Sequence, residues 1–233
     1  MRGTGRVLFV QHQDDCPPGH VGERVEQRGA RVEVVRAQSG SLPDPRLYDL
    51  VVPLGSDDSA YDESLPYLRG EWELLAAAVD AGVPVFGICF GAQLLARVLG
   101  GEVHRASGGP EIGWLTVRTT EPGLVDSGPW LVWHLDVIGA APPAARANAH
   151  TDVGIQAFTC GPHVGTQFHP EATPDSARVW AERYRESLRE IGVDAGALLA
   201  ETDAGATAAR RRGHRLTDRV MEHALAVSAG SGH

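Results

Sequence analysis

Cysteine is scarce in this chain, with three in 233 residues, and so few cannot form a disulfide framework. Neither paired Cys-x-x-Cys spacing nor a helical His-Glu-x-x-His occurs, so the ten histidines give no case for a resident metal, and no cofactor is expected. Positive charge is also in deficit. Twenty-one Lys and Arg stand against thirty Asp and Glu, and the resulting net charge of −9 disfavours a nucleic-acid partner. No uninterrupted run approaches the roughly 20 apolar residues that cross a bilayer. The opening Met1–Arg6 has no apolar stretch before Val7 that would read as a signal peptide. No membrane association is expected, and a reducing cytoplasm would preserve the thiols. A Gly-x-x-x-x-Gly-Lys-Ser/Thr loop is missing as well, which excludes that kind of nucleotide-binding synthetase, and there is no internal repeat.

Against these absences stands one cysteine in a special setting. Residues 87–93 read Gly-Ile-Cys-Phe-Gly-Ala-Gln, between the apolar Val83-Pro-Val-Phe-Gly-Ile88 and the helix-like Ala92-Gln-Leu-Leu-Ala-Arg-Val-Leu99. Gly-x-Cys-x-Gly is the thiol counterpart of the Gly-x-Ser-x-Gly elbow, a sharp strand-to-helix turn that exposes a nucleophile above a sheet. Gly87 and Gly91 lack a Cβ, so backbone can crowd around a strained Cys89. A free thiol with a pKa near 8.5 is only about a few per cent ionised at neutral pH. Cys89 therefore calls for the positive end of the following helix and for a base.

The base candidate is His169, in Gln167-Phe-His-Pro-Glu171 after a strand-like Val164–Phe168. Pro170 pushes the residue before it into the extended region, where side chains at i and i+2 share a face. His169 and Glu171 should then point the same way, with the carboxylate fixing the imidazole tautomer. Cys16 and Cys160 read as small buried hydrophobes. The pairs His134/Asp136 and His150/Asp152 read as structural, and Arg210-Arg-Arg212 as a solvated helix face.

With these motifs the chain resembles the class I, triad-type glutamine amidotransferases, in their free-standing branch similar to the amidotransferase part of GMP synthase. Ser59-Ala-Tyr-Asp62, Leu99-Gly-Gly101, Glu111-Ile-Gly-Trp114 and Trp133-His-Leu-Asp136 add to the likeness, which spans roughly residues 5 to 190. The resemblance implies a γ-glutamyl thioester on Cys89, His169 as the base that activates water, and Glu171 as its orienting carboxylate. It implies an oxyanion hole from the Phe90 N–H and a Gly-Gly-Pro-like loop, and Gln93 as a holder of the substrate's amino-acid end. The loop departs from the pattern: Gly55-Ser-Asp-Asp58 puts Ser56 at the second glycine, which limits the backbone and brings a hydroxyl near the oxyanion. L-glutamine or another γ-glutamyl amide is the implied substrate, and any ammonia acceptor must be a separate synthetase. Two alternatives stay open. One is a stand-alone γ-glutamyl amide or peptide hydrolase; the other is a non-catalytic binding domain, against which three intact triad residues argue.

The pass along the chain predicts an α/β fold, an open and mostly parallel doubly wound sheet, with added antiparallel strands over 102–169. Val7–Val10, Arg31–Val35, Leu50–Leu54 and Val83–Ile88 read as its strands. Helices are expected near 20–29, around Trp72, Leu75, Ala76 and Val79, over 92–99, and from the Thr173 cap and Pro174 through Ala177, Ala181, Tyr184, Leu188 and Ile191. Residues 1–192 are read as the amidotransferase domain and 193–233 as a helical extension on it. Leu216, Val220, Ala224 and Val227 mark a final helix, and Ala229–His233 a frayed end.

Overall fold

Val7, Leu8, Phe9 and Val10 are all fully buried, yet they serve two different cores. Val7 and Phe9 join one cluster and Leu8 and Val10 the other, because successive side chains of a strand point to opposite faces. A strand buried on both faces belongs inside a sheet covered by helices on each side. The computed structural model, which describes residues 5–230, has that layout.

In chain order the elements are β1 (Arg6–Gln11), α1 (Gly19–Gln27), β2 (Arg31–Arg36), β3 (Leu50–Pro53), α2 (Leu68–Asp80), β4 (Phe86–Ile88), α3 (Phe90–Val98) and β5 (Glu102–Arg105). There follow β6 (Glu111–Leu115), β7 (Arg118–Thr119), β8 (Trp130–His134), β9 (Asp136–Ala140), β10 (Arg146–His150), β11 (Ile155–Cys160) and β12 (His163–Thr166). The chain then turns helical in α4 (Pro174–Arg183), α5 (Arg185–Glu190) and α6 (Ala195–Gly230). Strands β2, β1 and β3 run parallel in that order. A parallel bridge from Val51 to Val85 brings β4 beside β3, and β4 is parallel to β12. From β12 onward the pairing is antiparallel, through β11 to β10 and β7, with β9 and β5 branching from β11. β6 and β8 form a separate antiparallel ribbon. The α/β fold and the antiparallel additions over 102–169 are as the sequence implied.

Helices α1 and α6 cover one face through Val21, Val25, Leu216, Val220 and Met221; α2 and α3 cover the other through Leu74, Leu75, Ala78 and Leu95. Three expectations need correction. The buried stripe of α2 is Leu68, Glu71, Leu74, Leu75 and Ala78, rotated by one position, which leaves Trp72, Ala76 and Val79 half-buried at its edge. Trp72 is used there by Arg97, whose guanidinium lies over the ring. The helix begun at Thr173, whose hydroxyl accepts from the Ser176 N–H, does not run on through Ile191; it breaks at Tyr184, and Ile191 is exposed. The break turns the Tyr184 hydroxyl toward Asp57, 2.9 Å away. Arg210 and Arg212 do not form a merely solvated face: Arg210 pairs with Glu23, and Arg212 donates to the Pro129 carbonyl at 2.7 Å and lies over the Trp130 ring.

The final helix begins well before Leu216, at Ala195, with the Asp194 carboxylate accepting from the Ala197 N–H. It spans 36 residues and is pinned to α1 by a two-bond Arg24–Asp218 pair. Of the tail expected to fray, residues 231–233 lie outside the described ones. Among the described residues no helix is long and apolar enough to cross a membrane.

Two glycines of α6 test how this helix is seated. A Cβ on Gly205 would meet nothing within 4 Å, whereas one on Gly213 would come 2.4 Å from the Pro170 carbonyl oxygen. Gly205→Ala should stabilise the protein by about 0.5–1 kcal/mol, as alanine does in a helix interior. Gly213→Ala should lower the melting temperature in spite of the same propensity gain. Thermal unfolding of the two variants checks the opposite signs.

Candidate active site

Cys89 caps α3 with φ +52 and ψ −110, and among the described residues it is the one non-glycine at positive φ. Such a conformation costs about 1–3 kcal/mol and persists only where its surroundings over-determine it. Here the Cys89 N–H donates to the Thr166 carbonyl (2.7 Å), the Gly91 N–H to that of Leu54 (3.1 Å), and the Gln93 N–H to that of Cys89 (3.0 Å). The flanking glycines are required by space. A Cβ at Gly91 would lie 2.1 Å from the Pro53 oxygen, and one at Gly87 would lie 2.6 Å from that of Gly91. The elbow thus sits at the carboxyl ends of β3, β4 and β12, the edge at which open α/β sheets bind ligands.

His169 and Glu171 share a face as the His-Pro-Glu spacing implied, with Nδ1 to Oε1 at 2.7 Å and both side chains buried. His169 lines the same cavity as Cys89 and packs on the Trp180 ring. Its Nε2 is buried and has no hydrogen-bond partner. Burial alone would pull this imidazole down, but the Glu171 charge and then the Cys89 sulfur outweigh it and hold His169 well above the ordinary histidine value. The backbone of the segment is held as well. The His169 N–H donates to Leu131 O (2.8 Å), and the Glu171 carbonyl accepts the His20 N–H (2.9 Å) at the start of α1. Gly19, at φ +47, is the only residue type that fits there, because a Cβ would fall 2.0 Å from the Glu171 oxygen.

Gly55 lies against both groups: a Cβ on it would be 3.1 Å from His169 Cε1 and 3.7 Å from Cys89 Cβ. Ser56 follows without positive φ, so serine is accommodated at that position without strain. Its hydroxyl donates to Asp58 Oδ2 (3.1 Å) and accepts from the Asp58 N–H (3.2 Å), so it is engaged within its own turn and not free for an oxyanion. The Ser56 N–H makes no hydrogen bond with any described residue. The Phe90 N–H, at the first position of α3, lies outside the helix's own ladder. Gln93 lines the cavity, but its amide N–H groups already donate to Asp136 O (2.9 Å) and Gln167 Oε1 (3.1 Å).

Several contributors lie in segments that the sequence reading quoted but gave no role in the site. Gln167 donates to the Cys89 sulfur at 3.6 Å and is fully buried. Ser59 and Tyr61 both donate to the Asp136 carboxylate, at 2.5 and 3.0 Å, at the cavity wall. The sequence places these residues in three separate segments, and nothing local links them. The His134/Asp136 pair does not act together, since His134 faces Glu111 at 3.2 Å. Asp152 is likewise taken by Arg118. Burial pushes the Cys16 and Cys160 thiols up, as suits structural cysteines.

One group among the described residues could gather a cation: His20, Glu23 and His214 place ligand atoms within 4.8 Å of one another. A cation is already there, however. Arg210, bonded to both carboxylate oxygens, holds Glu23 at about 2, and its guanidinium occupies the charge that a metal would need.

Comparison with known proteins bears on the fold and the family. The family model described as glutamine amidotransferase class-I matches residues 20–180. The GMP synthase [glutamine-hydrolyzing] of Allorhizobium ampelinum is 32% identical over 68% of this chain, which spans about a third (32%) of that relative's length. The pyridoxal 5'-phosphate synthase subunit PdxT of Clavibacter sepedonicus is 33% identical over 78% of this chain and 90% of its own. Among solved structures, a glutamine amidotransferase from Thermotoga maritima superposes with a TM-score of 0.87 at 27% identity, covering 95% of this chain and all (100%) of the other. One from Methylobacillus flagellatus gives 0.86 at 25% identity, covering 95% and 96%. With the strained cysteine, the buried His–Glu pair and a family match over most of its length, this chain belongs to the class-I glutamine amidotransferases.

Proposed function

We propose that the protein hydrolyses the side-chain amide of glutamine through a thioester on Cys89 and passes the ammonia to a separate acceptor enzyme. The observation that carries the reading is a strained, glycine-flanked Cys89 sharing one cavity with a His169 that Glu171 orients. His169 sits above the ordinary histidine range and can hold the thiol proton. The sulfur attacks the amide carbon, and the developing oxyanion is met by the N–H groups of Ser56 and Phe90. The C–N bond then breaks, and ammonia leaves with the proton from His169. In the second half His169 takes a proton from water, which attacks the thioester, releasing glutamate and restoring Cys89. Gln93, its N–H groups engaged, keeps only its carbonyl oxygen for the substrate's amino-acid end.

An external acceptor is supported by the relatives. The GMP synthases are about three to five times as long as the stretch they share with this chain, and PdxT is named as a subunit. One observation favours a second reading, a stand-alone γ-glutamyl amide hydrolase. The loop after β3 is anchored without any partner, through Asp57 to Gln13 and Tyr184 and through Asp58 to Tyr67. A loop already held in this way does not need a synthetase to order it.

Cys89→Ala should abolish turnover with the melting temperature kept, and a glutamine-like electrophile should label Cys89 while sparing Cys16 and Cys160. His169→Ala should lose about tenfold or more beyond Glu171→Gln. Wild-type rates in either alanine variant would remove the triad from the account.

The pH profile has a sign to test. Glu171 is the largest contribution raising His169, and ammonia departure needs the protonated imidazole. The alkaline limb, an apparent value of the coupled Cys89–His169 pair, should therefore move to lower pH in Glu171→Gln. A limb that stays in place would show that Glu171 does not set it.

Steady-state rates of the isolated chain on glutamine and on γ-glutamyl amides separate the two readings. Glutamine turnover that rises many-fold with a partner synthetase supports the first; a much faster γ-glutamyl amide supports the second. Ser56→Gly keeps the backbone donor and loses only hydroxyl bonds worth about 0.5–1.5 kcal/mol each. It should fall by about threefold to tenfold, and a loss as large as the roughly 10²–10³ of a missing donor would contradict that account.

A further inference from the structure

Behind the loop after β3 lies a second histidine–carboxylate pair. His12 leaves the end of β1 and Glu71 stands on the inner face of α2, and both side chains are completely buried. His12 Nε2 lies 2.7 Å from Glu71 Oε2, and Nδ1 donates to the Gly55 carbonyl at 3.2 Å, since a carbonyl can only accept. Glu71 Oε1 is buried with no partner. The surrounding wall is apolar and aromatic: the His12 ring meets Phe90 edge-on at 4.7 Å and Tyr67 at 5.4 Å. Burying a histidine and a carboxylate where leucines would pack is costly, and an incompletely satisfied pair more so. Departures of that kind concentrate at functional positions.

We propose that His12 and Glu71 are a positioning pair for the oxyanion hole, an inference that rests on the amidase reading above. In a trans peptide the C=O of one residue and the N–H of the next point in opposite directions. Fixing the Gly55 carbonyl on His12 therefore aims the Ser56 N–H away from His12, and that N–H has no hydrogen-bond partner among the described residues. Gly55 itself abuts Cys89 and His169, so a rotation of this one peptide would turn a carbonyl oxygen toward the developing anion in place of a donor. The same imidazole braces Phe90, which supplies the other donor. Glu71 sets the ring's orientation through the 2.7 Å contact with Nε2, and with Nδ1–H on the Gly55 carbonyl that contact carries one further proton between Nε2 and Oε2. Neither residue touches the reacting atoms.

The test uses single-turnover acylation of the full chain by γ-glutamyl-p-nitroanilide. The sulfur–carbon bond forms, the carbon–nitrogen bond breaks, and p-nitroaniline is released with a proton from His169. Alkylation of Cys89 by iodoacetamide, a displacement that forms no oxyanion, is measured beside it. His12→Leu and Glu71→Leu should slow acylation by about 10²-fold or more, the scale of one misplaced donor, and leave alkylation within about threefold. Glu71→Gln, whose amide N–H can donate to Nε2 and keep the Nδ1 proton, should recover most of the loss. Two results would overturn the pair's role: acylation in His12→Leu within threefold of wild type, or acylation and alkylation falling by the same factor, which marks a general packing defect. A wild-type chain that is alkylated at Cys89 yet never acylated would instead sink the amidase reading, and this inference with it.

Discussion

A cysteine at φ +52 survives in this fold because its peptide groups are committed on several sides at once. The Thr166 carbonyl at the end of β12 takes the Cys89 N–H, and the Leu54 carbonyl after β3 takes that of Gly91. Those carbonyls are in reach only because β12 pairs in parallel with β4, with Thr166 opposite Ile88, and because β3 runs alongside. Sheet register therefore sets the position of Cys89. Glycine at 87 and 91 is what lets the strand end and the helix close to that distance, since a Cβ at either place would overlap backbone. The strain amounts to about 1–3 kcal/mol, small against the burial of strands that are apolar on both faces.

The histidine side of the site depends on a different set of elements. The His169–Glu171 segment donates the His169 N–H to the Leu131 carbonyl of β8, accepts the His20 N–H of α1 at its Glu171 carbonyl, and carries Gly213 of α6 against the Pro170 oxygen. Trp180 of α4 closes over the imidazole. Helix α6 thus helps fix the position of His169, although none of its described residues lines the cavity. The two halves of the site meet at Gly55, where a Cβ would come 3.1 Å from His169 Cε1 and 3.7 Å from Cys89 Cβ.

Electrostatics then follow from burial. Glu171 and His169 are both withdrawn from water, so their mutual attraction is little screened, and together with the Cys89 sulfur it outweighs the desolvation that opposes a charged imidazole. The acidic loop residues have a structural use. Asp57 is gripped by Gln13 and Tyr184, and Asp58 by Ser56 and Tyr67. A serine in place of the second glycine is thereby turned inward.

Local pattern carried much of this protein in its sequence. Glycines two positions either side of Cys89 dictate a tight elbow, proline after His169 puts it on the same face as Glu171, and a proline one residue past Thr173 starts a helix; each is a matter of neighbouring dihedral angles. Strand and helix alternation gave the α/β class for the same reason. Tertiary structure decided the rest. Whether Cys89 meets His169 depends on the pairing of β4 with β12, and whether Ser56 offers a hydroxyl or a backbone N–H depends on Asp58 and Tyr67. The one-position rotation of the α2 stripe comes from Glu71 turning inward to His12, and the break at Tyr184 goes with its reach to Asp57. Contacts of that kind join residues far apart in the chain, and no periodicity records them, because they are fixed by sheet register and by the seating of one helix on another.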